Sequence, residues 1–67
     1  MSRGFPIGEA RVVKETDRAL IVMTGELGFD LAVPRNAIHE ASQVRDIIHG
    51  EGNLVVEEWW AKKKGWI

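Results

Sequence analysis

The hydrophobic residues in the first half of the chain are spaced as in β-strands. Three segments have this spacing: residues 9–15, 19–24 and 29–33. The middle segment is a continuous apolar run, which predicts a central strand covered on both faces. The third segment alternates, so Phe29, Leu31 and Val33 are expected to face the core. Together these segments predict an antiparallel meander.

Turn-forming residues separate the predicted strands. Residues 1–8 contain two glycines and a proline and are predicted to be an irregular lead-in. Residues 16–18 are predicted to form a turn, and 25–28, with two glycines, a hairpin turn. Pro34 is expected to end the third strand, because proline cannot donate to a ladder. The connection that follows, 35–39, has Ile38 as its one apolar contact to the core.

The stretch from 41 to 48 fits two structures. Its apolar residues have helical spacing, yet 44–48 fits a strand equally well. Residues 50–53 carry a strong turn signal and precede a strand-like run at 54–56. A hairpin is therefore favoured over a helix, although both interpretations stay open.

Residues 57–64 are predicted to form a short C-terminal helix. Two glutamates begin it and three lysines end it, and both choices oppose the end charges of the helix dipole. Gly65 stands where a left-handed residue ends a helix, and Trp66 is expected to fold back onto Trp60 and Ala61. The predicted class is α+β. Its sheet is either a small antiparallel sheet or an SH3-like, partly open barrel of four or five strands.

The composition narrows the class of protein. A chain of 67 residues is expected to be one domain, 1–67, that needs good packing or self-association for stability. The 45% hydrophobic content and three tryptophans favour packing, and a homodimer remains open. The absence of cysteine excludes disulfides and fits the cytoplasm. We expect neither a signal peptide nor a membrane span, and a net charge of −1 is not typical of nucleic-acid binders.

Polar residues that could support catalysis are few. His39, Ser42 and Asp46 would share one face of a helix, but a catalytic triad also needs a pocket for which this chain has little room. His39 and His49 match no metal-binding spacing. We therefore expect solvated loop residues, no metal, no cofactor and no enzymatic activity.

The C-terminal helix carries the most suggestive side chains. Lysines beside tryptophans can hold single-stranded nucleic acid, although they also suit a helix end packed on a core. Trp59 and Trp60 point about 100° apart, so one is expected to be buried and the other partly exposed. Arg18 and Arg35 flank turns and could meet in space. The candidate binding residues are Trp60, Trp66, Lys62, Lys63, Lys64 and Arg35.

Four ordered blocks resemble a family of uncharacterised small proteins from phages, prophages and bacteria. The blocks are Ala19-Leu20-Ile21-Val22, Val33-Pro34-Arg35-Asn36-Ala37-Ile38, Gly52-Asn53-Leu54-Val55-Val56 and Trp59-Trp60-Ala61-Lys62-Lys63-Lys64-Gly65. The resemblance covers residues 19–67, and its last block is the most specific. The chain departs from the family pattern in five places. Ala32 replaces a tryptophan, Asn36 a serine and Glu57 a proline, and Trp60 and Trp66 replace aliphatic residues.

The resemblance implies a phage or mobile-element protein. Phage proteins of this size include inhibitors of bacterial defence, anti-CRISPR proteins among them. By this analogy we expect a non-catalytic module that binds and blocks a host protein or nucleoprotein complex in the host cytoplasm. The alternative is an accessory protein of nucleic-acid metabolism that binds single strands through the C-terminal tryptophans and lysines.

Overall fold

A computed structural model describes residues 3–25 and 30–67. These residues form four antiparallel strands and one C-terminal helix, which confirms the predicted α+β class. The elements are β1 (Gly4–Glu15), β2 (Ala19–Thr24), β3 (Asp30–Pro34), a 3₁₀ turn (Arg35–Ala37), β4 (Glu51–Glu57) and α1 (Glu58–Lys64). The strand order is β3-β2-β1-β4, an open sheet with β3 and β4 at its edges.

The core lies on one face of this sheet. Leu20 and Val22 of β2 are fully buried, as are Val33 of β3 and Leu54 of β4. The helix and the chain that leads from β3 to β4 cover this inner face with Ala37, Val44, Trp60 and Ala61. The outer face is open, and Met23 there is 53% exposed. The expectation that β2 is covered on both faces was therefore wrong, because the described residues form a covering layer on the inner face alone.

The first strand begins earlier than predicted. Residues 4–8 were expected to be irregular, but they pair with β4 from Gly4↔Glu57 onward. A bulge between Pro6 and Gly8 accommodates the loop-like sequence, and Gly8 has a φ of 114° that favours glycine. Pro6 is tolerated because β2 pairs only with residues 10–15.

Residues 41–50 form neither the favoured strand nor the alternative helix. The predicted hairpin was wrong, because β4 pairs with β1 and not with residues 44–48. The predicted turn at 50–53 was wrong as well, since β4 begins at Glu51. Gly52 has a φ of 136°, and a Cβ there would lie 2.8 Å from the Gln43 Oε1 atom. This glycine therefore lets the loop approach β4 closely.

The other connections agree better with the sequence. The turn at 16–18 is confirmed, with the Thr16 hydroxyl accepting a 3.0 Å hydrogen bond from the Ala19 amide. Gly25 lies in a turn, while the rest of the predicted hairpin turn and Phe29 lie outside the described residues. In the 35–39 connection Ala37 is fully buried and Ile38 only partly, so Ile38 is not the sole apolar contact.

The helix is one residue shorter than predicted, because Glu57 is extended and precedes it as the N-cap. Its end is as predicted. Gly65 has a φ of 82°, and its amide bonds the Lys62 carbonyl while the Trp66 amide bonds the Ala61 carbonyl, both at 3.0 Å. These two bonds define a Schellman motif. In the described part of the chain, no helix has the length and hydropathy that crossing a membrane requires.

Candidate binding surfaces

Two neighbouring isoleucines are displayed on the loop that precedes β4. We call residues 44–50 the isoleucine loop. Val44 is fully buried at its start, whereas Ile47 is 56% and Ile48 is 84% exposed. Beside them lies an open groove lined by Gln43, His49 and Glu51. Exposing two adjacent large aliphatic side chains is costly for a small monomer, so this loop is the first candidate for a contact surface.

Hydrogen bonds connect the isoleucine loop internally and to the sheet. The Asp46 carboxylate accepts a 2.6 Å bond from the His49 amide and lies 3.2 Å from the His49 ring nitrogen. The Arg45 amide donates to the His49 carbonyl at 3.1 Å, which closes the same turn. The Val12 amide of β1 donates to the Gly50 carbonyl at 2.7 Å. The turn therefore closes on itself and is bonded to the sheet at its end.

The tip of the loop is also bonded to the end of β1. The Ile47 amide donates a 3.0 Å hydrogen bond to a Glu15 carboxylate oxygen. The other oxygen of that carboxylate lies 3.5 Å from the Arg35 guanidinium. The guanidinium also donates to the Thr16 carbonyl at 2.8 Å and the Asp17 carbonyl at 3.2 Å. Arg35, a predicted binding residue, thus supports the loop through Glu15.

Arg18 and Arg35 are neighbours through their backbones. The Arg35 amide donates to the Arg18 carbonyl at 2.9 Å. This bond extends the β2–β3 ladder by one pair beyond Ala19↔Pro34. It places the Arg35 side chain next to the 16–18 turn.

The turn of the isoleucine loop favours the charged form of the Asp46 carboxylate. The hydrogen bond from the His49 amide lowers the pKa of Asp46 below its ordinary value of 3.8, and the nearby His49 ring acts in the same direction. A lowered pKa means that the folded turn favours the ionised form. The stability that this carboxylate contributes to the fold is therefore fully present above the ordinary pKa of 3.8. It is lost as the pH falls through the lowered pKa.

The helix places its two adjacent tryptophans in opposite environments. Trp60 is only 4% exposed, while Trp59 is 49% exposed. One buried and one exposed tryptophan were predicted, but Trp60 had been chosen as an exposed binding residue, and that choice was wrong. Trp60 packs edge-on against Trp66 with 5.3 Å between ring centroids, and Trp66 stacks on Phe5 at 6.4 Å. Trp60 and Trp66 therefore pack the helix against the start of β1.

Only part of the lysine cluster is available for binding. Lys64 lies over the Trp60 ring at 5.4 Å from its centroid, and Lys62 lies 3.6 Å from Glu58. Lys63 is exposed and has no ion pair among the described residues. Because residues three and four apart share a helix face, Trp59 presents its ring beside Lys62 and Lys63. These three residues form a second, smaller candidate surface.

The residues once considered for catalysis are mainly structural. His39 and Ser42 are buried, so the expectation that they are solvated was wrong. The Ser42 hydroxyl donates to the Val44 carbonyl at 2.9 Å and accepts from the Val55 amide at 3.1 Å. His39 Nδ1 accepts a 3.0 Å bond from the Ala41 amide. Within residues 3–25 and 30–67, no group of three or more acidic or histidine side chains is placed to bind a metal.

The sequence contains a pattern that is typical of a loop at this position, although the apolar spacing of the same residues indicated a helix or a strand. Ile47 and Ile48 fitted the apolar positions of either a helix or a strand, so neither was selected as an exposed residue. Asp46 three residues before His49, with Gly50 following, is the pattern of a side-chain-capped turn. That pattern indicates a loop and therefore exposed isoleucines.

Comparisons of this chain with protein-family models, with curated proteins and with solved structures give no match in any of the three.

Proposed function

We propose that this chain is a non-catalytic interaction module that binds a protein surface through the isoleucine loop. The observation that carries the proposal is the exposure of Ile47 and Ile48 on a loop held by hydrogen bonds. Burying an exposed isoleucine contributes about 1.5–3 kcal/mol. A loop that is already ordered loses little further entropy when it binds. The gain from burying the isoleucines and the small loss of entropy both favour a protein partner with an apolar pocket.

The resemblance to small phage proteins supports a narrower version of this proposal. The module then covers a functional surface on a host protein or nucleoprotein complex, with a CRISPR effector as one concrete case. Its test is the plating of a CRISPR-targeted phage on bacteria that express the chain. Restored plating that is lost in the double variant Ile47→Asp/Ile48→Asp supports inhibition through this loop. If the phage still fails to plate with every effector type tested, inhibition of a CRISPR effector is excluded.

A second candidate function is binding of single-stranded nucleic acid. The observation that favours it is the exposed ring of Trp59 on the helix face that also carries Lys62 and Lys63. Base stacking and phosphate neutralisation together would supply such binding. The surface is small, and Lys62 already has Glu58 as a partner. We therefore rank this function second.

Quantitative co-purification from bacterial cells tests the first function. The wild type is compared with Ile47→Asp/Ile48→Asp and with Ile67→Asp, a matched change at a terminal isoleucine that is 58% exposed. A specific protein should co-purify with the wild type and with Ile67→Asp but not with the double variant. All three should keep similar stability, because exposed substitutions cost about 0.5 kcal/mol or less. Equal recovery of every protein with all three would contradict the proposal.

Fluorescence anisotropy with a labelled oligo-dT strand tests the second function. Charge-driven binding should weaken steeply as salt is added, and Trp59→Ala should weaken it further. The isoleucine variants should bind the strand as the wild type does. No change in anisotropy at low salt would remove the second function and leave the first unaffected.

A further inference from the structure

The two edge strands of the sheet, β4 and β3, differ in how their outer backbone groups are hydrogen-bonded. Along β4, the His39 amide donates to the Val55 carbonyl at 2.9 Å and the Gln43 amide to the Asn53 carbonyl at 3.0 Å. The Gln43 side chain accepts from the Asn53 amide at 2.9 Å, and Ser42 accepts from Val55. The chain thus closes this edge with its own loop. Edges that are closed in this way cannot pair with another chain.

Among the described residues, the edge at β3 has no pairing strand. The Arg35 amide bonds Arg18, and bonded pairs alternate along an antiparallel ladder, so Leu31 and Val33 direct their backbone groups to β2. The backbone groups of Asp30, Ala32 and Pro34 therefore point away from the sheet. Within residues 3–25 and 30–67, β3 has no strand neighbour on this side. The Pro34 carbonyl is the N-cap carbonyl of the 3₁₀ turn and accepts that turn's first hydrogen bond, so its second lone pair is the one that a neighbouring strand would use.

We propose that β3 pairs with β3 of a second copy of this chain, antiparallel about a two-fold axis at Ala32. In this register the Ala32 amide donates to the carbonyl of the partner's Ala32, and the reverse bond forms by symmetry. The Asp30 amide donates to the carbonyl of the partner's Pro34, again twice. Four backbone hydrogen bonds result, and the two sheets become one sheet of eight strands.

The edge is self-complementary at every position of this register. Pro34 has no amide hydrogen, and the register requires only its carbonyl. Leu31 lies opposite the partner's Val33, so apolar side chains meet on the inner face. Asp30 lies opposite the partner's Pro34, and no like charges face each other directly. The two-fold register therefore uses the amide donors of Asp30 and Ala32 and requires no donor from Pro34.

The outer face next to this edge is suited to a close neighbour. Ala32 is exposed, and its small side chain lies on the axis without a clash. Ile21 is its cross-strand neighbour on β2, and Lys14 follows on β1. Across the dimer the two Ala32–Ile21 pairs form one apolar row with a lysine at each end. An unrelated strand would gain the same edge but not this continuous row.

Sedimentation equilibrium over a range of concentrations tests the dimer. A single strand pair buries less than the roughly 1,200 Å² of a standard interface, so we expect a dissociation constant on the order of 0.1 mM. The wild type should be largely dimeric at about 1 mM and monomeric below about 10 μM. A wild type that stays monomeric at about 1 mM would overturn the proposal.

Matched variants locate the contact. Ala32→Lys brings two ammonium groups together at the axis and should keep the protein monomeric at every concentration. Ala41→Lys makes the same change at an exposed residue on the loop along β4, away from this edge, and should dimerise as the wild type does. Circular dichroism should show that both variants remain folded, because both positions are exposed.

Amide hydrogen exchange supplies the residue-level readout. On dimerisation the amides of Asp30 and Ala32 should become protected, whereas the amide of Ile48 should not change. A dimer that persists in Ala32→Lys, or that is lost only in Ile48→Asp, would overturn the β3 contact. Because the proposed function concerns a different surface, either result leaves the protein-binding proposal standing.

Discussion

The pair Trp59 and Trp60 offers a test of the packing in which the two substitutions differ only in position. Trp60 is 4% exposed and touches the Trp66 ring, while Trp59 is 49% exposed. Replacing a buried tryptophan by alanine costs about 3–5 kcal/mol. A domain of this size has a total stability of about 3–5 kcal/mol from its core. Trp60→Ala should therefore be largely unfolded at 25 °C, whereas Trp59→Ala should lose less than about 1 kcal/mol.

Urea unfolding followed by far-ultraviolet circular dichroism measures this difference. The free energy of unfolding is extrapolated to water for the wild type and Trp59→Ala. Trp60→Phe keeps part of the buried ring and should give a measurable intermediate value if Trp60→Ala is unfolded throughout. Equal destabilisation by Trp59→Ala and Trp60→Ala would refute the assignment of Trp60 to the core.

Three further predictions concern the loop and the helix. Ser42→Ala should lower the free energy of unfolding by about 1–3 kcal/mol in urea titrations, because the part-buried Val55 amide loses its acceptor. Changing the lysines at 62–64 to glutamine should cost at most about 0.3–1 kcal/mol per charge, and this cost should shrink in high salt. The His49 amide chemical shift should follow the ionisation of Asp46 with a midpoint below 3.8, and the loop contribution should be lost only below that pH. A midpoint at or above 3.8 would contradict this account of the turn.

The sequence predicted the parts of the fold that local signals determine. Alternation and an apolar run located β2 and most of β3, and the charges with Gly65 located the end of the helix. Pairing between distant segments was not predictable in the same way. Residues 4–8 contain turn-forming residues, yet they join the sheet because β4 returns beside them. Glycines 50 and 52 indicated a turn, whereas Gly52 serves a close approach inside a strand.

The candidate site was predicted only in part. The sequence indicated that one of two adjacent tryptophans is exposed, but helical spacing alone could not say which face meets the sheet. The exposed isoleucines were missed because apolar periodicity assigns every large aliphatic residue to a core. Arg35 was selected as a binding residue because it flanks a turn, and the structure instead gives it carbonyl and carboxylate partners.

Site-specific photo-crosslinking tests the central claim most directly. A benzophenone amino acid replaces Ile48 in one variant and Ile67 in a control, and both are irradiated in bacterial cells. We predict a discrete protein adduct from position 48 that is absent from position 67 and disappears when Ile47→Asp is added. No discrete protein adduct from position 48, together with nucleic-acid adducts when the same group replaces Trp59, would contradict the account.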